Sequence, residues 1–158
     1  MNIAEKLIDE IESALVQVED INSRLENFLS RSKRDFESAL LLSRYIELFY
    51  NRLETIFLHI KNFYGNDLQP ELWHKNLLYA MTKESSIRKR VISDSTFHAL
   101  DELRGFRHFS RYNYRVDSYD WDRLDIITQM YRKSFHNIKL DLQEFSNFLK
   151  EALAQDSN

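Results

Sequence analysis

Cysteine is absent from the chain, which removes disulfides, thiolate nucleophiles and cysteine-held metals and agrees with a reducing compartment. Glycine occurs twice and proline once in 158 residues. That scarcity excludes a succession of tight hairpins and the clustered glycines of a phosphate-cradling loop. No apolar run is long enough to span a membrane, and Met1-Asn2-Ile3-Ala4-Glu5-Lys6 lacks the basic-then-apolar order of a secretory signal. A cytoplasmic, non-membrane protein is expected. Positive charge is not in excess either: 22 Lys and Arg stand against 25 Asp and Glu, for a formal net charge of −3. Such a chain does not coat a polyanion with its whole surface, so any anion site must be local.

What is present is helical periodicity. The length favours one domain, residues 1–158, able to bury roughly 68–70% of the surface an unfolded chain exposes. Steps of three and four link Ile3, Leu7, Ile11, Ala14, Leu15, Val18, Ile21, Leu25 and Phe28 into one stripe, predicting a long first helix from Asn2 to about Leu29. A second helix, from about Asp35 to Tyr64, is apolar around much of its circumference and is therefore central or carries a second interface. Gly65 stands where a C′ residue would end it. A third helix opens at Pro70 or Glu71 and runs to about Met81. Residues 82–95 read as a basic connection docked through Ile87, Val91 and Ile92, and Asp94 or Ser95 is the expected cap of the fourth helix. After a break around residues 115–120, a last helix reaches about Leu153. The fold class is all-α: an antiparallel bundle of about five helices.

One stretch carries chemistry. At roughly 100° per residue, Leu103, Phe106 and Phe109 fall on one side of the fourth helix, and Arg104, Arg107, His108, Arg111 and Tyr112 on the other. Between Arg104 and Arg115 there is no Asp or Glu, so the local charge is opposite in sign to that of the whole chain. Guanidiniums supply permanent positive charge, the imidazole a proton carrier near neutral pH, and the phenol a stacking surface, a combination suited to a phosphodiester. A solvated basic face is the plainer use of such a stretch. Glu47 and Glu54 lie on a largely apolar helix, where either could orient an arginine of the basic stretch or simply face solvent. His59, His74, His98 and His136 have no second histidine at metal spacing, and neither a metal nor another cofactor is expected.

The string from Leu100 to Tyr114, followed by Val116-Asp117 and Trp121-Asp122-Arg123-Leu124, resembles the HepT-like branch of the HEPN superfamily. Residues 50–57 are similar to that family's central helix, and residues 73–81 to the segment before its motif helix. The resemblance implies a helical bundle that forms a homodimer with two Arg-x4–6-His motifs facing across a cleft. It also implies metal-independent ribonuclease activity and a toxin paired with an MNT-type nucleotidyltransferase antitoxin, which transfers AMP to a tyrosine two residues beyond the motif histidine. Carried onto this chain, the motif arginine is Arg107, the histidine position holds Tyr112, and the modified tyrosine is Tyr114. Metal-free RNA cleavage needs a base, an acid and cations for the phosphorane, and tyrosine, with a reference pKa of about 10, is a poor base at neutral pH. Either His108 could take over the proton transfers, or Tyr112 could position the phosphate while Arg104, Arg107 and Arg111 carry the electrostatic part. The expected substrate is single-stranded RNA or tRNA. The alternative is an inactive dimer that binds nucleotide, RNA or a protein partner.

Overall fold

The computed structural model describes residues 2–65, 73–113 and 115–156, except for the side chains of residues 73–75 and 116. Helix α1 (Ile3–Arg31) begins in a reciprocal cap, in which Asn2 Oδ1 accepts from the Glu5 N–H at 2.8 Å and the Glu5 carboxylate accepts from the Asn2 N–H at 2.9 Å. Helix α2 (Phe36–Tyr64) starts after Asp35, whose carboxylate accepts from the Ser38 N–H at 2.8 Å. It ends at Gly65, where φ is 73° and the N–H donates to the Lys61 carbonyl at 2.9 Å, the left-handed C′ geometry that favours glycine. Helices α3 (Trp73–Ala80) and α4 (Asp94–Tyr112) follow, then a 3₁₀ turn (Val116–Ser118) and α5 (Trp121–Asp156). The expected opening of the third helix at Pro70 or Glu71 lies outside the described residues.

Side-chain bridges fix the helix directions. Between α1 and α5, Glu12 meets Lys150, Glu19 meets Lys139 and Glu26 meets Arg132, so one number rises as the other falls and the helices are antiparallel. Gln17 with Arg52, and Glu10 with His59, set α1 against α2 in the same sense. Glu47 with Arg111, and Glu54 with Arg107, do so for α2 and α4. Helix α2 packs against each of the other four α-helices and buries Leu42, Ile46, Phe49, Leu53, Ile56 and Ile60 completely. It is the central helix, because its apolar residues are spread too widely for a single interface to cover them. At the middle of the core, Phe49 meets Tyr131 edge to face, with ring centroids 4.9 Å apart.

Three local expectations are corrected. The cap of α4 is Ser93, not Asp94 or Ser95: its Oγ accepts from the Thr96 N–H at 3.2 Å. Asp141 on α5 selects this start by accepting from the Ser93 N–H at 3.1 Å and from the Thr96 hydroxyl at 2.6 Å. In the connection before α4, Val91 and Ile92 are buried, but Ile87 is 62% exposed. What docks beside them is the buried Arg88, which donates to the Ala80 and Lys83 carbonyls, each at 2.8 Å. It thereby gives a donor to the last carbonyl of α3, on Ala80, and to the Lys83 carbonyl in the turn that follows. Helix α5 continues past Leu153 to Asp156.

Candidate active site

The motif helix presents its basic residues to α2 as well as to solvent. Arg107 is only 4% exposed, a correction to the outward cationic stripe drawn from the helical wheel. Its guanidinium donates from Nη1 to Glu54 Oε1 and from Nη2 to Glu54 Oε2, both at 3.1 Å, and from Nη1 to Asn51 Oδ1 at 2.8 Å. Burying a lone guanidinium is costly, whereas a two-pronged carboxylate bridge with a further amide acceptor compensates the charge and fixes the plane of the group. Below it lies the Tyr50 ring, with Arg107 Cζ 4.4 Å from the ring centroid. Burial, reinforced by the negative charge of Glu54, pushes the Tyr50 hydroxyl far above its ordinary pKa. Tyr50 therefore stays neutral and serves as a floor for the cation.

The neighbouring arginines are also partnered. Arg104 Nε donates to Asp101 Oδ1 at 2.9 Å. Arg111 Nη2 reaches Asn51 Oδ1 at 3.3 Å and Glu47 Oε1 at 3.5 Å, and the same Glu47 oxygen accepts from Arg44 Nη1 at 3.0 Å. The absence of acidic residues from the motif stretch thus does not leave the site uncompensated, because Glu47 and Glu54 approach from another helix. His108 is exposed, and its ring stands 4.8 Å from that of Tyr112, tilted by 47°. Tyr112 is itself 64% exposed. Arg104, Arg107, His108, Arg111 and Tyr112 together line a recess of about 140 Å³, a size suited to a phosphate group. The structure therefore gathers these five side chains at one place and sets Glu47 and Glu54 behind two of them. Tyr114, the expected modification site, lies outside the described residues.

Sequence reasoning missed Asn51, Tyr50 and Asp101. The signal for Asn51 was available: Glu47, Asn51 and Glu54 follow steps of four and three and so share one face of α2. The remaining histidines stand elsewhere. His59 Nδ1 lies 2.9 Å from a Glu10 oxygen without hydrogen-bond alignment, His98 and His136 are exposed, and the side chain of His74 is outside the description. Among the described residues, no three His, Cys, Asp or Glu side chains are grouped so as to hold a metal ion. No helix among them is long and apolar enough to cross a membrane.

A family model described as HepT-like protein matches residues 41–149, a span that opens within α2, closes within α5 and contains every residue of the network around the recess. No curated protein and no solved structure matches the chain.

Proposed function

Because the chain belongs to the HepT-like protein family, we propose that it is the ribonuclease toxin of a HepT/MNT-type pair, working as a homodimer on single-stranded RNA or tRNA without a metal. The observation that carries this reading is the convergence of Arg104, Arg107, His108, Arg111 and Tyr112 on one phosphate-sized recess, with Arg107 held rigid by Glu54. His108 takes the proton from the ribose 2′-OH, whose oxygen attacks the adjacent phosphorus, and the bond to the 5′ oxygen breaks. That leaving oxygen receives its proton from the same residue of the second copy, leaving a cyclic phosphate and a 5′-hydroxyl. Arg104 and Arg111 stabilise the negative charge that builds on the phosphorane, Tyr112 donates a hydrogen bond to a phosphate oxygen, and Arg107 contributes a fixed positive field from below. Neutralisation proceeds by attack of the Tyr114 oxygen on the α-phosphorus of a nucleoside triphosphate held by the nucleotidyltransferase, with pyrophosphate leaving. The AMP then brings negative charge to the arginine cluster.

A second reading has its own support. Arg104, Arg107 and Arg111 each already meet a carboxylate, from Asp101, Glu54 and Glu47, so the recess could bind an anion without turning it over. Cleavage of end-labelled tRNA and a single-stranded RNA in EDTA separates the two. The wild type is expected to cut, His108→Ala to lose on the order of 10²–10⁴ in rate, and Tyr112→Phe to lose about tenfold or less. If wild-type protein shown by mass spectrometry to carry no AMP on Tyr114 leaves both RNAs intact while anions still raise its melting temperature, the binding module is the correct reading.

A further inference from the structure

A second recess, of about 310 Å³, opens where the start of α2 meets the end of α4, and its lining includes Phe36, Arg44, Ser110, Asn113, Arg115 and Tyr119. Arg44 and Arg115 bring positive charge to it, and no acidic residue is among its described lining residues. The rings of Phe36 and Tyr119 stand 6.0 Å apart at 57°, and the Tyr119 hydroxyl meets Ser110 Oγ at 3.3 Å, so the recess combines aromatic surface, hydroxyls and positive charge. Asn113 Oδ1 accepts from the Arg115 N–H at 3.1 Å, holding the Arg115 backbone at the end of α4. The Arg115 side chain pairs with Asp117 at 3.3 Å, both of them solvent-exposed, and a phosphate can displace such a pair.

One carboxylate links a residue of each recess. Arg44, in the second, and Arg111, in the first, both donate to the same Glu47 oxygen, at 3.0 and 3.5 Å, which places their guanidiniums close enough for neighbouring phosphates of one strand. We propose that the second recess is a nucleotide subsite on the same RNA track. It receives the nucleotide one step beyond the two that flank the scissile phosphate, with its base against Phe36 and Tyr119 and the linking phosphate between Arg44 and Arg115. The proposal rests on the ribonuclease reading and adds to it a preference for unpaired RNA, since a base must leave its helical stack to lie on a protein ring.

The test is the affinity of uncleavable 2′-O-methyl oligonucleotides, by fluorescence anisotropy, as a dinucleotide is extended one residue at a time from either end. For the wild type, one of the first extensions is expected to tighten binding by about tenfold, the order of a stacked base with its phosphate. Arg115→Ala and Phe36→Leu should each lose most of that gain while binding the dinucleotide as the wild type does. Arg24→Ala, which removes an equal charge from the exposed face of α1, should keep the gain. If the gain survives in both subsite variants, or falls equally in Arg24→Ala, the subsite is overturned while the ribonuclease reading stands. If the wild type binds no oligonucleotide of any length, the RNA reading fails and the subsite fails with it.

Discussion

Removing the Arg107 guanidinium takes from the Glu54 carboxylate its two-pronged counter-charge at a place where Arg107 is 4% and Glu54 15% exposed. Arg107→Ala is therefore expected to lower the free energy of unfolding by about 3–5 kcal/mol, read by urea denaturation. Replacing the pair as a whole, in Arg107→Met with Glu54→Leu, removes both charges together and should restore most of that stability while cleavage stays lost. Equal instability of the single and double variants would mean that the bridge is not the source of the loss. His108 presents the opposite case. It is exposed, so His108→Ala should leave stability within about 0.5 kcal/mol of wild type even as it removes activity. A thermal melt beside the cleavage assay checks both halves of that expectation.

The helix termini carry their own expectations. The hydrogen bond from the Ser38 N–H holds the Asp35 carboxyl below its ordinary pKa of 3.8. A group whose folded-state pKa is depressed contributes stability above its unfolded pKa, and that contribution disappears as pH falls through the folded value. Asp35→Asn keeps a side-chain acceptor for the cap but loses the charge. The stability difference between wild type and this variant should accordingly be constant above about pH 5 and shrink below the carboxylate's reference range, measured by denaturation across pH. At the other end of α2, nothing among the described residues lies within 4 Å of a Cβ built on Gly65, yet its φ is 73°. The positive φ makes Gly65→Ala a source of backbone strain, and a loss of about 1–2 kcal/mol is expected from the melting curve.

For the molecule as a whole, a net charge of −3 and a confined basic region together set how binding responds to salt. A strand engaging two or three phosphates should give a slope of about −1.4 to −2.1 in a plot of log Kobs against log salt. A slope steeper than about −4 would mean that much more of the surface takes part. The antiparallel course of α2 and α4 is what makes so confined a site stable. It aligns Glu54 with Arg107 and Glu47 with Arg111 as successive rungs, so the positive cluster is compensated from behind while the recess stays open in front.

Helix content was legible because it depends on neighbours a few positions apart. The stripe from Ile3 to Phe28 and the wide apolar girth of α2 are written in three- and four-residue spacings, and the Gly65 stop is written in the conformational freedom of one residue. The residues of the recess were legible for the same reason, since Arg104, His108, Arg111 and Tyr112 share a surface of one helix. Charge compensation acts through space and escapes any local window. Glu54 reaches Arg107 across 53 positions of sequence, and Asp141 chooses the start of α4 from 48 positions away. Arg88 turns inward to carbonyls at the end of α3 and in the turn just after it. Only packing could decide which arginines stay in water and which are buried, because a buried charge persists only where a partner from another element meets it.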